Sequence, residues 1–126
     1  MNKWQSDVRD FHIKYGALVQ DSPAIPDNKT KILRRNLIIE EVMEELLPAI
    51  KNDDIEEIAD AIADSIYVLL GTAVSYGVDL EPIWEEVQKS NMNKTGQIHR
   101  DGGKVTKPEG WKPPDILGEL KKQGLK

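Results

Sequence analysis

The chain has 126 residues, a formal net charge of −5, and 39% hydrophobic and 31% charged residues, which predicts one globular domain over residues 1–126. It contains no cysteine; this excludes disulfides, zinc–thiolate sites and thiol nucleophiles, and it favours a reducing, cytoplasmic location. The first residues carry no apolar signal segment, and we expect no membrane partner.

Charge is distributed unevenly along the chain. Residues 37–64 hold ten acidic side chains against one basic side chain, whereas residues 91–126 hold eight basic against four acidic. Binding of a nucleic-acid polymer needs a continuous basic face, so we expect none. The pattern fits cations bound near the middle of the chain and phosphates bound near its end.

The first half of the chain predicts two helices. Residues 4–15 place Trp4, Val8, Phe11 and Tyr15 on one apolar stripe. A loop with two prolines follows over residues 21–28. Residues 29–47 predict a second helix, which Pro48 should kink or end because proline lacks the amide N–H and clashes with the preceding turn.

The second half predicts two more helices and a tail. The third helix should begin at Asp53 as N-cap, end at Gly77, and bury Ile55, Ile62 and Leu69 among its core residues. Asp79 caps a fourth helix that runs to about residue 91. Glycines and prolines then predict irregular structure, with a small hairpin near residues 101–103 and a short terminal helix. We therefore expect an all-α fold, with a four-helix-bundle-like core over about residues 4–95 and an irregular Gly/Pro-rich C-terminal tail over residues 96–126.

Two acidic pairs occupy consecutive predicted helices. Glu41 and Glu44 are three residues apart, as are Glu57 and Asp60, and this spacing places each pair on one helix face. Antiparallel packing would bring the four carboxylates together, where they repel one another unless a cation binds. Oxygen ligands favour Mg²⁺, with Mn²⁺ possible. Either pair alone fits a solvated helix face; both pairs, without alternating lysines, favour a metal site.

A polar and basic group follows the fourth helix. Asn91 and Lys94 are three residues apart and could reach one ligand, although a lysine at a helix C-terminus is equally well explained by the helix dipole. Lys104 and Lys107 come next, among glycines. Basic residues beside a metal site suit a polyphosphate. No Walker phosphate loop is present in the sequence.

These motifs together are similar to a known signature. The run E-E-x-x-E at residues 40–44, followed by E-x-x-D at residues 57–60, resembles the all-α nucleoside triphosphate pyrophosphohydrolases. The segments LRRNLIIEEVMEEL, SNMNK and GGKVTKPEGWKPPDI resemble the MazG-like, phosphoribosyl-ATP pyrophosphohydrolase-like branch. The resemblance extends to about residue 116.

The resemblance implies an Mg²⁺-dependent enzyme that cleaves a nucleoside triphosphate, or a related nucleotide, between the α- and β-phosphates. It implies a homodimer or a dimer of dimers. Phosphoribosyl-ATP is the alternative substrate, and a non-catalytic helical binding protein is the alternative outside enzymes. The implied residues fall into four groups: Glu40 at the attacking water; Glu41, Glu44, Glu57 and Asp60 as metal ligands; Asn91 and Lys94 at the phosphates, with Asp64, Lys104 and Lys107 as supporting or lid residues; and Phe11, His12 and Arg35 at the nucleoside pocket.

Overall fold

The computed structural model describes residues 1–94, 107 and 109–126, and within them every regular element is helical. The predicted all-α fold is confirmed. The elements are the helices α1 to α6 and one π-helical segment between α2 and α3, with these bounds: α1 Lys3–Tyr15, α2 Asn28–Ile38, the π segment Ile39–Leu46, α3 Leu47–Lys51, α4 Ile55–Ser75, α5 Leu80–Met92 and α6 Ile116–Lys122. The hairpin predicted near residues 101–103 lies outside the described residues.

The second predicted helix is longer and less regular than its sequence suggested. It starts at Asn28, where the Asp27 side chain caps the backbone N–H of Thr30 at 3.1 Å, and it continues through Pro48 to Lys51. The π segment lies directly before Pro48, and Pro48 is in the first turn of α3. The wider π turn accommodates the residue that would break a regular α-helix, because it changes which carbonyl faces the proline ring. The helix thus changes its geometry near Pro48 and does not end there.

Helix α4 is the central element of the fold. Its main neighbours are α1, α2 and the π segment. The predicted N-cap was wrong by one residue: Asp54 accepts the Glu57 N–H at 3.2 Å, while Asp53 adopts a left-handed backbone with φ of 55°. At the other end Gly77 has φ of 70°, as predicted for a helix C-terminus, and a Cβ there would overlap the Ser22 carbonyl.

The buried core is small and lies on one side of α4. Val8, Leu70 and Val74 form it, with Val19, Ile66 and Leu80 packed around them. Ile55, Ile62 and Leu69, which we expected in this core, are 78%, 44% and 47% exposed. That expectation was wrong, because the described helices that pack on α4 leave its other side open. An apolar stripe on a helix identifies a face to be buried, and it does not identify the partner.

Helix α4 is also the one helix among the described residues that is long and apolar enough to cross a membrane by length and composition alone. The central helix of a helical bundle meets the same two criteria. Its packing against α1, α2 and the π segment is of that kind.

The chain after α5 returns along that helix and is attached to both of its ends. At the N-terminal end, the Gln123 side chain accepts the Asp79 N–H at 2.8 Å and donates to the Asp79 carbonyl at 2.9 Å. At the C-terminal end, the Trp111 indole N–H donates to the Ser90 carbonyl at 2.8 Å. The predicted terminal helix is present as α6, and it packs on α5.

Candidate active site

An acidic cavity of about 270 Å³ lies between the π segment and α4. Its lining contains five carboxylates and one small residue: Glu41, Glu45, Glu57, Asp60, Asp64 and Ala61. We call this the acidic cavity. Three of the four predicted metal ligands therefore come together, and Glu45 and Asp64 join them. Glu44, the fourth predicted ligand, and Glu40, the predicted catalytic residue, are exposed and are not among the lining residues.

The π-helical geometry explains why Glu45 lines the cavity and Glu44 does not. A π-helix has more residues per turn than an α-helix, so residues three apart diverge around its axis, whereas residues four apart share a face in both geometries. Glu41 and Glu45 are four apart within the π segment. The prediction paired Glu41 with Glu44, three residues away, which is the spacing that the π turn separates. Only the run of aliphatic residues ending at Pro48 hinted at irregular geometry here.

A hydrogen bond from α4 fixes the cavity wall. The Ser65 hydroxyl, on a residue only 5% exposed, donates to the Glu41 carbonyl at 3.3 Å. The next turn of α4 presents Ala61, which is also buried. Because these two small residues lie between the helices, the π segment approaches α4 closely enough for carboxylates on both to face one cavity.

The negative charges of the carboxylates in the acidic cavity repel one another. Burial raises the pKa of Glu41 above its ordinary value, and the negative charges of Asp64, Glu40, Glu45 and Asp60 raise it further. Among the described residues, no lysine or arginine forms an ion pair with a carboxylate of this cavity. The cavity therefore carries uncompensated negative charge.

The acidic cavity matches a divalent metal ion in its chemistry. Its donors are all hard carboxylate oxygens, the kind that Mg²⁺ and Mn²⁺ bind, and their mutual repulsion would be relieved by a cation. In the described part of the chain, no three Asp, Glu or His side chains already converge in coordinating positions. Glu57 and Asp60 also line an adjoining cavity with Asp54 and Glu56. These two side chains thus stand at the centre of a broader acidic surface.

The predicted phosphate-binding residues lie in a different part of the subunit. Asn91, near the end of α5, is exposed, and Lys94 follows that helix. Both Lys94 and Lys107 point an ammonium group at the Trp111 ring, with Nζ at 5.5 Å and 4.9 Å from the ring centroid. None of the three lines the acidic cavity. Lys104 lies outside the described residues.

The residues predicted to border a nucleoside pocket have contrasting environments. Phe11 is 46% exposed and contacts the rings of Tyr15 and Tyr67, with centroids 4.7 Å and 5.6 Å away. His12 is buried, and its ring Nδ1 is 3.0 Å from the Leu18 carbonyl oxygen. Arg35 is exposed on α2.

The neighbouring Arg34, which was not among the predicted site residues, is buried. Its guanidinium donates to the Val68 carbonyl at 2.7 Å and to the Thr72 hydroxyl at 3.3 Å. Arg34 joins α2 to α4 beside His12 and Gly71. The sequence signal for the burial of Arg34 was its position one residue before Arg35, which places it on the inward face of the helix.

The all-helical fold, with acidic side chains on two adjacent helices facing one cavity, is that of the MazG-like all-α pyrophosphohydrolase superfamily. Comparison with known families specifies the branch: the family model for phosphoribosyl-ATP pyrophosphohydrolase matches residues 8–91, two-thirds of the chain. The chain belongs to this family. It is accordingly a nucleotide pyrophosphohydrolase, a hydrolase acting on acid anhydrides. A search of curated proteins found no match.

Proposed function

We propose that this protein is an Mg²⁺-dependent pyrophosphohydrolase that cleaves a nucleoside or deoxynucleoside triphosphate, or a related nucleotide, between the α- and β-phosphates. The products would be a nucleoside monophosphate and pyrophosphate. The observation that carries the proposal is the acidic cavity, where a partly buried Glu41 has a raised pKa among carboxylates that form no ion pair with a lysine or arginine of the described residues. Mn²⁺ is the other ion that this donor set suits.

In this mechanism Glu41, Glu57 and Asp60, which line the acidic cavity, would hold the metal together with Glu44, the fourth ligand that the family motif implies. Glu45 and Asp64 complete the acidic wall. Bound Mg²⁺ supplies positive charge that neutralises phosphoryl oxygens. Glu40 lies beside Glu41 and is exposed, so its carboxylate is free to orient a water molecule and accept its proton. Asn91, Lys94, Lys104 and Lys107 bind the phosphates, while Phe11, His12 and Arg35 border the nucleoside.

Phosphoribosyl-ATP is the second candidate substrate. The family whose model matches residues 8–91 is described by that activity, and cleavage of phosphoribosyl-ATP is the same bond-breaking step on a larger nucleotide. A helical protein that binds nucleotide or a partner without catalysis is the third candidate. Pyrophosphate release separates all three.

The test is pyrophosphate release from phosphoribosyl-ATP and from a panel of nucleoside and deoxynucleoside triphosphates, with Mg²⁺ and with chelator. We expect Mg²⁺-dependent release from at least one nucleotide. Glu41→Gln and Asp60→Asn should each lower kcat/KM at least ~100-fold, because each removes charge from the reaction centre. The matched control is Glu85→Gln, on an exposed carboxylate of α5. Absence of release from every substrate, or wild-type rates in both site variants, would refute the enzymatic proposal.

We also propose that the active form is a homodimer or a dimer of dimers, in the cytoplasm. An apolar groove of about 340 Å³ lies between α1 and α4, lined by residues that include Trp4, Ile62 and Tyr67, and these three are 61%, 44% and 40% exposed. Packing of a second subunit here would bury the open side of α4.

Light scattering after size-exclusion chromatography tests the assembly. Ile62→Glu places a charge in the groove and should convert the oligomer to monomer. Ile25→Glu changes a residue that is 74% exposed in the loop before α2, and it should leave the mass unchanged. A monomeric wild type at micromolar concentration would contradict this part of the proposal.

A further inference from the structure

Trp111 is held in a defined position by its own polar atom. The indole N–H donates to the Ser90 carbonyl at 2.8 Å, and Ser90 is 7% exposed, so the bond attaches the ring to the buried side of the end of α5. The chain then continues to α6, which packs on α5. A tryptophan fixed in this way has little freedom to rotate, and its ring faces become stable surfaces for other side chains.

The ammonium groups of Lys94 and Lys107 lie over the Trp111 ring. Nζ of Lys94 is 5.5 Å and Nζ of Lys107 is 4.9 Å from the ring centroid, both within the range of a cation–π contact. Neither ammonium forms an ion pair with a carboxylate in the described part of the chain. We call Lys94, Trp111 and Lys107 the lysine–tryptophan cluster.

The arrangement has an electrostatic consequence. A cation–π contact orients an ammonium group without neutralising it, and the N–H donors that point away from the ring remain able to bind an acceptor. Two ammonium groups held against one ring also repel each other, and an anion with several charges would relieve that repulsion. Phosphate oxygens provide both the charge and the acceptors.

We propose that Trp111 is a positioning residue, which fixes Lys94 and Lys107 for the pyrophosphate or polyphosphate group that these lysines bind. The assignment of that group to the nucleotide substrate rests on the proposed function. Trp111 acts through the two lysines and not on the phosphate itself. The alternative is a purely structural tryptophan that attaches the tail to α5.

The experiment measures pyrophosphate binding by calorimetry in the presence of chelator, so that the metal site does not contribute. Trp111→Leu removes both the ring faces and the N–H donor. Trp111→Phe keeps an aromatic face and loses the donor. Lys94→Gln removes one charge, and Trp84→Leu is the matched control, because Trp84 is a 64% exposed tryptophan on α5 outside the cluster. Circular dichroism melting of each variant reports folding separately.

We expect Trp111→Leu to weaken pyrophosphate binding about tenfold, from the loss of two oriented cation–π contacts. Trp111→Phe should be affected less, and Trp84→Leu should bind as the wild type does. Lys94→Gln combined with either Trp111 variant should weaken binding by less than the product of the single effects, since Trp111 acts through the lysine. In turnover, Trp111→Leu should raise KM with little change in kcat.

Each of the remaining outcomes either supports or overturns the inference. A wild type that binds no pyrophosphate overturns the inference. So does a Trp111→Leu protein that melts earlier but binds pyrophosphate with wild-type affinity, whatever nucleotide the enzyme hydrolyses. If no nucleotide is hydrolysed and yet pyrophosphate binding depends on Trp111 and Lys94, the phosphate site is supported and the proposed function fails.

Discussion

The hydroxyl of Ser65 on α4 donates a hydrogen bond to the carbonyl of Glu41 in the π segment, at 3.3 Å. This contact joins the two helices at the acidic cavity, and the Glu41 carbonyl and carboxylate therefore have separate roles. The backbone holds the helix in place and the side chain faces the cavity.

Ser65→Ala should lower the free energy of unfolding by about 1 kcal/mol, the usual net contribution of such a bond. It should lower catalytic efficiency as well, because the π segment loses its fixed distance from α4. Urea denaturation and kcat/KM are the two measurements. Ser6→Ala, an exposed serine on α1, is the control and should change neither. Full activity in Ser65→Ala would show that the contact does not position the cavity.

Pro48→Ala should weaken metal binding without unfolding the protein. Alanine restores a backbone N–H and removes the ring clash, so an α-helical register becomes favourable where the π segment now lies. That register would change the angles between Glu41, Glu44 and Glu45 around the helix axis, and so the arrangement of carboxylates at the acidic cavity. We expect a smaller Mg²⁺-dependent rise in melting temperature than in the wild type.

Pro82→Ala is the matched control for this change, since Pro82 lies in the first turn of α5, where proline is tolerated. It should leave the Mg²⁺ response intact. An unchanged Mg²⁺ response in Pro48→Ala would show that the proline does not determine the geometry of the site.

Gly71→Ala should destabilise the protein although alanine favours helix. A Cβ at this position would overlap the Arg34 guanidinium and lie 3.0 Å from the His12 ring, both buried. Displacing them should cost about 1–3 kcal/mol, which exceeds the helix-propensity gain of about 1 kcal/mol. Chemical denaturation measures the difference. Equal or greater stability would mean that the Arg34 and His12 side chains rearrange without cost.

His12 should make the protein less stable in mild acid. Burial lowers its pKa below 6.5, with a further lowering by Arg34 that the Leu18 hydrogen bond opposes. The unfolded chain therefore binds a proton more readily than the folded one. The stabilisation is fully present above pH 6.5 and is lost as the pH falls from that value towards the lowered folded pKa.

The comparison is the free energy of unfolding of the wild type and His12→Asn between pH 7.5 and about pH 5. Asparagine can donate to the Leu18 carbonyl but does not titrate, so its profile should be flatter. If the free energy of unfolding changes with pH equally in the two proteins, a group other than His12 causes the acid sensitivity.

The sequence predicted the helices well because their signals are local. Asp79 caps α5 and Gly77 follows α4 as expected, since both depend on neighbouring residues only. The core was less predictable: the open side of α4, with Ile62 and Leu69, carries the same apolar pattern as its packed side. Periodicity does not distinguish burial within a subunit from burial between subunits.

Most of the acidic cavity was also predictable, because Glu41, Glu57 and Asp60 need only helices that adjoin. Glu45 was missed although it lies four residues from Glu41, a spacing that shares a face in an α-helix too. The E-x-x-E motif directed the prediction to Glu44, and the π turn separates that pair. The lysine–tryptophan cluster was predictable only in part. Lys94 and Lys107 were predicted at the phosphates, but their shared contact with Trp111 requires the chain to return along α5.

The π segment also affects how this chain should be aligned with its relatives. A π turn takes up about one more residue than an α turn, so alignment with a homologue whose helix is α-helical throughout requires a one-residue gap between Ile39 and Leu46. Ligand assignments transferred across that gap shift by one position. If that gap falls between Glu41 and Glu45, a structural superposition would match the second motif glutamate of such a homologue to Glu45, which lines the cavity, whereas an ungapped sequence match assigns it to Glu44.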